Sequence, residues 1–394
     1  MKQKGMTLIE LMVALTIGLG ITLAISSVLI ASENHKRTTT STNDAQQTGS
    51  YSFYALDKAL RGAGSGIAES AFPTDVGVLG CHLNAGTPAI LPHAGAFPAP
   101  FANFLGGAAG TLNVAPVLIG KSQSQDGVSD VIMVMGGSGS AGGVSRQITG
   151  GGNATSATLD NSVGFANNDL VLVSQSGVPD CLMEQVTPLP TTATLGLGGL
   201  YYTAAGGATS MATLATSTST YVTPIGNADA NNVQFLLFGI DTNRTLFSYD
   251  LLQNLKVWGG AGADSAQAIA DGVVQMNAIY GIDTTGAGIQ NAWAGPGDPG
   301  WDINTVMNSP AKMKQILSVR IALIVRGEYY DTTRKPDGTP LPVSPPTLTF
   351  FNGLASGAGP LQQTINLTAT EQQFRYRVFE FTVPLRNMLL LAGA

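Results

Sequence analysis

Residues 4–31 read KGMTLIELMVALTIGLGITLAISSVLIA, and this stretch organises the rest of the chain. From Leu11 to Ala31 there are 21 consecutive residues without a charged side chain. At about 1.5 Å of rise per residue they form a helix of about 31 Å, which matches the hydrocarbon thickness of a bilayer. The stretch therefore predicts a single membrane-spanning helix. Because Lys2 and Lys4 precede it, we expect a cytoplasmic amino terminus and place the rest of the chain on the far side.

Glu10 is the unusual residue of this stretch, because it lies where the apolar run begins. An ionised carboxylate within a bilayer costs about 2.5 to 3.5 kcal/mol on insertion scales, so such residues are usually paired and functional. Two cations lie within reach along the sequence. One is Lys4, and the other is the α-amine that Met6 would carry if the chain were cut after Gly5.

The order Gly5-Met6-Thr7-Leu8-Ile9-Glu10 resembles the processing site of type IV prepilins. The resemblance implies that a prepilin peptidase cleaves after Gly5 and methylates the new amino terminus at Met6. It also implies that Glu10 pairs with the terminal amine of a neighbouring subunit inside a filament. Phenylalanine is the commoner first residue of mature pilins, so Met6 departs from the family pattern.

Two plainer interpretations compete with the prepilin motif. A secretory signal peptide has an apolar core of about 7 to 15 residues and a small-residue cleavage site. The present run is longer, begins with an acid and has no Ala-x-Ala site near Ala31. The other interpretation is an ordinary single-span anchor in which Glu10 is accidental, and the cost of an unpaired carboxylate in a bilayer disfavours it.

The composition indicates an exported globular protein attached to this helix. Apolar residues make up 44% of the 394 residues and charged residues only 11%, whereas charged residues are about 25% of a typical domain. Without residues 1–5 the chain would carry 17 basic and 25 acidic residues, and no basic cluster predicts nucleic-acid binding. The two cysteines, Cys81 and Cys181, predict one disulfide in an oxidising compartment, with two buried thiols as the alternative.

Helical spacing continues beyond the predicted span. Phe53, Leu56 and Leu60 recur at intervals of three and four residues, and Gly62-Ala63-Gly64 would end the helix. We therefore predict one rod of about 55 residues whose exported half buries this stripe. The domain boundaries that follow are a leader at 1–5, a transmembrane or filament-core helix at 6–31, the exported half of the helix at 32–63 and a β-rich periplasmic domain at 64–394.

Taken with the strands predicted below, the resemblance to prepilins implies an α+β, pilin-like fold in which a mostly antiparallel sheet with loop-rich insertions packs on the helix. Residues 318–326 alternate, with Val319, Ile321, Leu323 and Val325 on one face. Further predictions are a hairpin of 233–238 with 245–252, a helix at 264–270, a helix start at Ser309-Pro310, and exposed low-complexity excursions at 136–157 and 191–220.

The last predicted strand, 374–384, has an irregular apolar pattern. Phe374, Tyr376 and Val378 share one parity, whereas Phe379, Phe381 and Val383 share the other. A regular strand would point these two sets to opposite faces of the sheet. We therefore predict a β-bulge near Val378 and Phe379 that brings the apolar residues to one face.

Three later segments resemble the PilW-like minor pilins: 271–283 (DGVVQMNAIYGID), 319–326 (VRIALIVR) and 376–387, where YRVF is followed by PLRN. The resemblance implies a minor pilin that primes type IV pilus assembly near the tip. Its partners would be other minor pilins, the major pilin, the prepilin peptidase and the inner-membrane assembly platform. The protein would first lie in the inner membrane, with its globular domain in the periplasm, and later in the pilus at the cell surface.

The sequence predicts no active site, cofactor or metal. Residues 137–142 match a dinucleotide fingerprint, but 143–158 lack the helix that must open at its last glycine. Residues 283–288 have the outline of a calcium loop with too few carboxylates, and a turn is favoured. His82 beside Cys81 lacks a second pair of metal ligands at suitable spacing.

Two other functions compete with the minor pilin. A pseudopilin of a type II secretion apparatus would share the amino-terminal motif. An adhesin or ligand-binding module on a pilin stem would use the Gly/Thr/Ser-rich loops as its contact surface.

Overall fold

A computed structural model describes residues 7–68, 78–86, 89–107, 110–138, 144–187, 191, 193–253 and 265–391. Its helices are α1 (Leu8–Gly62), α2 (Met211–Leu214), α3 (Ile303–Met307), α4 (Pro310–Gln315) and α5 (Arg386–Leu391). The strands in chain order are β1 (His82–Asn84), β2 (Val117–Gly120), β3 (Val131–Gly137), β4 (Arg146–Gln147), β5 (Ser156–Thr158), β6 (Asp169–Gln175), β7 (Asp180–Val186), β8 (Thr194–Gly198), β9 (Ala205–Gly206), β10 (Thr209–Ser210), β11 (Thr220–Asn227), β12 (Val233–Ile240), β13 (Thr245–Asp250), β14 (Gln267–Asp271), β15 (Val273–Ile282), β16 (Ala292–Ala294), β17 (Ile316–Arg326), β18 (Thr347–Phe350), β19 (Ala355–Ser356), β20 (Gly359–Pro360), β21 (Gln363–Asn366) and β22 (Tyr376–Pro384). The predicted α+β, pilin-like fold is confirmed.

Helix α1 is the predicted rod, a single helix of 55 residues. It ends where the glycines begin, with Ala63 at the C-cap and Gly64 at a left-handed φ of 79° that favours glycine. The buried residues of α1 recur at helical spacing along its second half: Ser41, Ala45, Gly49, Ser52, Leu56, Ala59 and Leu60. This stripe packs on the β domain and contains the predicted Leu56 and Leu60, whereas the predicted Phe53 is 37% exposed.

The sheet nearest to α1 has the strand order β16-β15-β17-β22, and all its pairs are antiparallel. The face of β17 that carries Val319, Ile321 and Leu323 joins the main core beneath α1. The rings of Phe53 and Phe381 meet edge to face with centroids 4.4 Å apart, which places β22 directly against the helix.

Strand β22 is regular, so the predicted bulge near Val378 and Phe379 is wrong. Its register runs without interruption from Arg326↔Tyr376 to Ser318↔Pro384. The apolar residues of both parities have apolar contacts, because each face of the sheet packs against an apolar cluster. Phe379 packs on the α1 side, whereas Val378 packs against a second apolar cluster that contains Phe350 and Phe351.

A second sheet, of strand order β14-β13-β12-β3-β2, adjoins the first. It contains the predicted hairpin, β12 with β13, whose turn is held by the carboxylate of Asp241. The predicted helix at 264–270 is wrong for its described part, because Gln267–Asp271 is strand β14 and pairs with β13. Pairing with β13 overrides the helical propensity of the alanines in this segment. Asp264 itself lies outside the described residues.

The third sheet has the order β4-β11-β6-β7-β8-β5, with β1 parallel to β7. Leu170 and Leu172 of β6 face the main core, whereas Val171 and Val173 face a separate cluster that includes Met211 and Leu214. Residues 191–220 are therefore not a mere surface excursion, since they supply strands, a helix and part of this cluster. The start Ser309-Pro310 is confirmed, with the Ser309 side chain accepting from the Lys312 N–H.

Candidate functional site

The first half of α1 carries a long exposed apolar surface. Its large apolar side chains from Leu8 to Ile30 are between 51% and 76% exposed, and the first buried residue of the helix is Ser41. Among the described residues, α1 is the one helix long and apolar enough to cross a membrane. An apolar surface of this extent requires a lipid or protein environment that covers it.

Glu10 lies in the first turn of α1, where Thr7 is the N-cap. The Glu10 carboxylate accepts from the Thr7 N–H at 2.9 Å and from the Thr7 hydroxyl at 2.8 Å, and Thr7 Oγ1 accepts from the Glu10 N–H at 3.4 Å. This reciprocal pair is a capping box, which satisfies main-chain donors that the helix leaves free. Thr7 was not predicted as a site residue, although the Thr-x-x-Glu spacing is the signal of a capping box.

The processing residues predicted next to this cap, Gly5 and Met6, lie outside the described residues, as do Lys2 and Lys4. Glu10 makes no ion pair within the described part of the chain. Thr7 therefore supplies hydrogen-bond donors to the carboxylate, but the structure contains no described cation beside it.

Cys81 and Cys181 form a disulfide in the structure, with Cα atoms 5.7 Å apart and a sequence separation of 100 residues. Cys181 lies in β7, and the parallel pairing of β1 with β7 sets Leu83 opposite Cys181. The disulfide therefore fastens the segment that follows α1 to the third sheet.

The stretch that resembles a calcium loop, 283–288, has a structural role. The Asp283 carboxylate accepts from the N–H groups of Thr285, Gly286 and Gly288 at 2.7 to 2.9 Å. Hydrogen bonds lower the pKa of Asp283 to about 2, and the bond from the Thr285 side chain has the largest effect. This arrangement is a turn. No group of three or more His, Cys, Asp and Glu side chains able to hold a metal occurs in the described ranges. Residues 139–143 of the dinucleotide-like stretch fall outside those ranges.

Two buried acids were not found by our sequence analysis. Asp130 accepts from the N–H groups of Ser122 and Ala278, which ties the start of β3 to β15, and burial raises its pKa to about 6. Glu184 in β7 is 0% exposed, and both of its carboxylate oxygens lie 3.3 Å from the Thr203 N–H. Burial raises the pKa of Glu184 to about 9. Their burial is a consequence of how the sheets pack.

Comparison with known families gives two matches. Residues 1–19 match the prokaryotic N-terminal methylation motif, and residues 237–387 match the family of type IV pilus-assembly protein W. The two matches support a PilW-like type IV pilin. The second match runs from within β12 to the start of α5, so it contains the whole sheet on which α1 packs. No curated protein and no solved structure matches the chain.

The PilW family is a structural component of the type IV pilus and not an enzyme family. A PilW-like pilin therefore interacts in general with other pilus components and with the prepilin peptidase. Its apolar amino-terminal helix and its methylation motif fit a pilin anchored in the inner membrane.

Proposed function

We propose that this chain is a minor pilin that takes part in priming type IV pilus assembly near the pilus tip and has no enzymatic role. The observation that supports it best is the two-part character of α1. The first half is apolar and exposed, and the second half buries a stripe against the β domain. Such a helix can lie in lipid before assembly and among other helices afterwards, because both surroundings cover apolar surface.

The proposed division of the chain follows from this use of the helix. Residues 1–5 are the leader, 6–31 the membrane and filament-core segment, 32–63 the exported half of the helix and 64–394 the periplasmic domain. The amino terminus starts in the cytoplasm, and the mature subunit passes from the inner membrane into the pilus at the cell surface. The partners are other minor pilins, the major pilin, the prepilin peptidase and the inner-membrane assembly platform.

Glu10 is proposed to set the axial register of the subunit. After cleavage behind Gly5, the methylated amine of Met6 on a neighbouring subunit would face the Glu10 carboxylate. A wrong stagger would leave this charge unpaired among apolar side chains, which is strongly unfavourable. Because Glu10 is present, we expect another subunit above this one in the filament.

The two alternative functions, a type II secretion pseudopilin and an adhesin displayed on a pilin stem, have less support. The match of residues 237–387 to the PilW family favours a pilus over a type II secretion apparatus. For a displayed adhesin, the Gly/Thr/Ser-rich loops, among them the low-complexity stretch 191–220, were the expected contact surface. Leu195, Met211 and Leu214 of that stretch are 0% exposed, which favours a structural role for it.

The test is to shear pili from cells that carry an affinity-tagged chain and to measure the chain in the pilus fraction and its amino terminus by mass spectrometry. We expect a mature chain beginning with N-methylated Met6 in the sheared pili, and fewer pili when the gene is deleted. An unprocessed chain confined to the membranes of piliated cells would contradict the proposal.

A further inference from the structure

Among the described strands, β22 is the last of the sheet that lies against α1, with β17 as its one neighbour. The Gly327 N–H donates to the Arg375 carbonyl at 2.9 Å, and the Leu385 N–H donates to the Leu317 carbonyl at 2.8 Å. Arg375 and Leu385 bracket β22 and have the same parity. Because main-chain groups alternate in an antiparallel ladder, the groups of the other parity, at Val378, Glu380 and Thr382, point away from β17.

The outward main chain is unpaired in the middle of β22, from Val378 to Thr382, whereas at its start the Tyr376 N–H donates to Ser344 Oγ at 3.4 Å. Within the described residues, the N–H and carbonyl groups of Val378, Glu380 and Thr382 make no hydrogen bond on this side. Glu380 is exposed as a whole residue, although its side chain is only 22% exposed and binds Arg320 at 2.9 Å. Its exposure therefore comes largely from the main chain, since the side chain bends away from the edge.

The other described edge strands of this sheet and of the adjoining second sheet are protected in the ways natural sheets use. Strand β14 has a register shift, β16 has three residues, and the four residues of β2 are all buried. Strand β22 has nine residues in uninterrupted register. A long regular edge without such protection is a template for pairing with another strand.

The edge of β22 runs along α1. Gly49 lies against Phe379, and Phe53 lies against Phe381. An advance of four residues along the helix therefore corresponds to an advance of two residues along the strand, in the same chain direction. These correspond to about 6 Å of helix and about 6.7 Å of strand, so the two elements are nearly parallel. A neighbour that packs on the exposed side of α1, where Tyr54 is 61% exposed, therefore comes within reach of the edge.

We propose that an extended segment of a neighbouring pilus subunit adds to β22 as a further strand of this sheet. The inference rests on the proposed function, because it assumes that other pilus subunits pack along α1. Main-chain groups of Val378, Glu380 and Thr382 would supply the hydrogen bonds, and alternate side chains would supply specificity.

The side chains beside the edge define the chemistry of this segment. Phe53 is 37% exposed, and Phe379 and Phe381 are partly exposed on the same side of the sheet. Arg377 shares their parity, is exposed and makes no ion pair in the described ranges. The incoming segment therefore alternates, with apolar residues on the α1 side and an acidic residue opposite Arg377.

The first test places the photo-crosslinker p-benzoylphenylalanine at Thr382 in the full-length chain, in cells that assemble pili. The expected adduct joins Thr382 to an extended segment of another pilin subunit, in both the membrane fraction and sheared pili. The same crosslinker at Val163, which is 71% exposed and remote from β22 in the sheet order, is the control and should give no such adduct. No adduct at Thr382, or an adduct to a helix or to a protein that is no pilin, overturns the inference.

The second test compares Thr382→Pro with Thr382→Ala. Proline removes the outward N–H without breaking a bond to β17, and alanine removes the same side chain but keeps the N–H. We expect the pilin partner that co-purifies from solubilised membranes to fall about tenfold with proline and to remain at the wild-type level with alanine. Both variants should keep the Cys81–Cys181 disulfide, which reports folding. Equal recovery with proline and alanine overturns the inference.

The two proposals fail separately. If the wild-type chain never reaches sheared pili, the proposed function fails. The crosslink in the membrane fraction and the pair of Thr382 variants then still decide whether β22 pairs with a partner strand.

Discussion

Gly49 of α1 lies directly against the ring of Phe379 in β22, and a Cβ atom at Gly49 would overlap that ring. The absence of a side chain at this one position lets helix and sheet approach closely. Four residues further along α1, the ring of Phe53 meets that of Phe381 of the same strand edge to face. The contact between α1 and β22 therefore includes a glycine and an aromatic residue on the helix that face two phenylalanines on the strand.

Replacing Gly49 with valine should destabilise the domain. The new side chain would force Phe379 away, and overpacking of this kind costs about 1 to 3 kcal/mol. Thermal unfolding of the detergent-solubilised protein measures the effect. Ser50→Val, at an exposed neighbouring position, is the matched control and should change stability far less. An unchanged melting temperature in Gly49→Val would show that helix and sheet are less closely packed than described.

Replacing Gly5 with leucine should leave the precursor uncleaved in the membrane, because a bulky residue would occupy the proposed scissile position. The mass of the amino-terminal peptide measures processing. Gly20→Leu is the control, since a side chain at Gly20 meets no atom of the protein within 4 Å. Mature protein of normal size from Gly5→Leu would remove the processing proposal.

Variants of Glu10 and Thr7 separate charge from helix capping. Glu10→Ala should be processed normally but incorporated poorly into pili, since the proposed register contact needs the carboxylate. Glu10→Gln retains an oxygen that can accept from the Thr7 N–H but carries no charge, and it should fail in the same way. Thr7→Val removes the hydroxyl of the capping box and should cost about 1 kcal/mol of helix stability. Normal incorporation of Glu10→Gln, measured in sheared pili, would mean that the charge is dispensable.

Stability should fall as the pH rises because of Glu184. Burial raises its pKa from the ordinary value of 4.5 to about 9. Between these pH values the folded protein retains a proton that the unfolded chain releases. The contribution of Glu184 to the free energy of unfolding is therefore fully present below pH 4.5 and is lost as the pH rises to about 9. At pH 7 the loss is up to about 3 kcal/mol. Glu184→Gln should flatten this dependence in urea unfolding at several pH values, and an unchanged slope would contradict the assignment.

The Cys81–Cys181 disulfide should contribute strongly to stability. Replacing both cysteines with serine should lower the free energy of unfolding by about 2 to 5 kcal/mol, because a long loop is no longer closed in the unfolded chain. Denaturant unfolding with and without a reductant measures it. A reductant should weaken the wild-type protein and leave the double variant unchanged, and equal sensitivity of both would contradict the prediction.

Local patterns predicted the helix well and the sheet partners less well. The length of α1, its end at Gly62 and the buried stripe through Leu56 and Leu60 follow from spacing within one segment. The error at β22 has a different origin, because Val378 and Phe379 read equally well as a bulged strand or as a strand covered on both faces. Only the cluster around Phe350 and Phe351, remote in sequence, decides between these two arrangements.

The segment at 267–271 illustrates the same limit. Its alanines favour a helix when they are considered alone, but pairing with β13 makes them a strand. The burial of Glu184 could not be predicted either, because one acidic residue within a strand pattern does not indicate which residues pack over its side chain. For the predicted site, Gly5, Met6 and Glu10 were found by their order along the chain. The capping partner Thr7 was missed, although its signal is equally local.

By itself the sequence determined the apolar rod, the acid at its start and the processing motif before it, because these depend on residues adjacent in the chain. The tertiary structure decided which faces of β22 are covered, that its edge is left open and that Glu184 is buried. These features depend on contacts between segments far apart in sequence, whose free energies no local pattern contains.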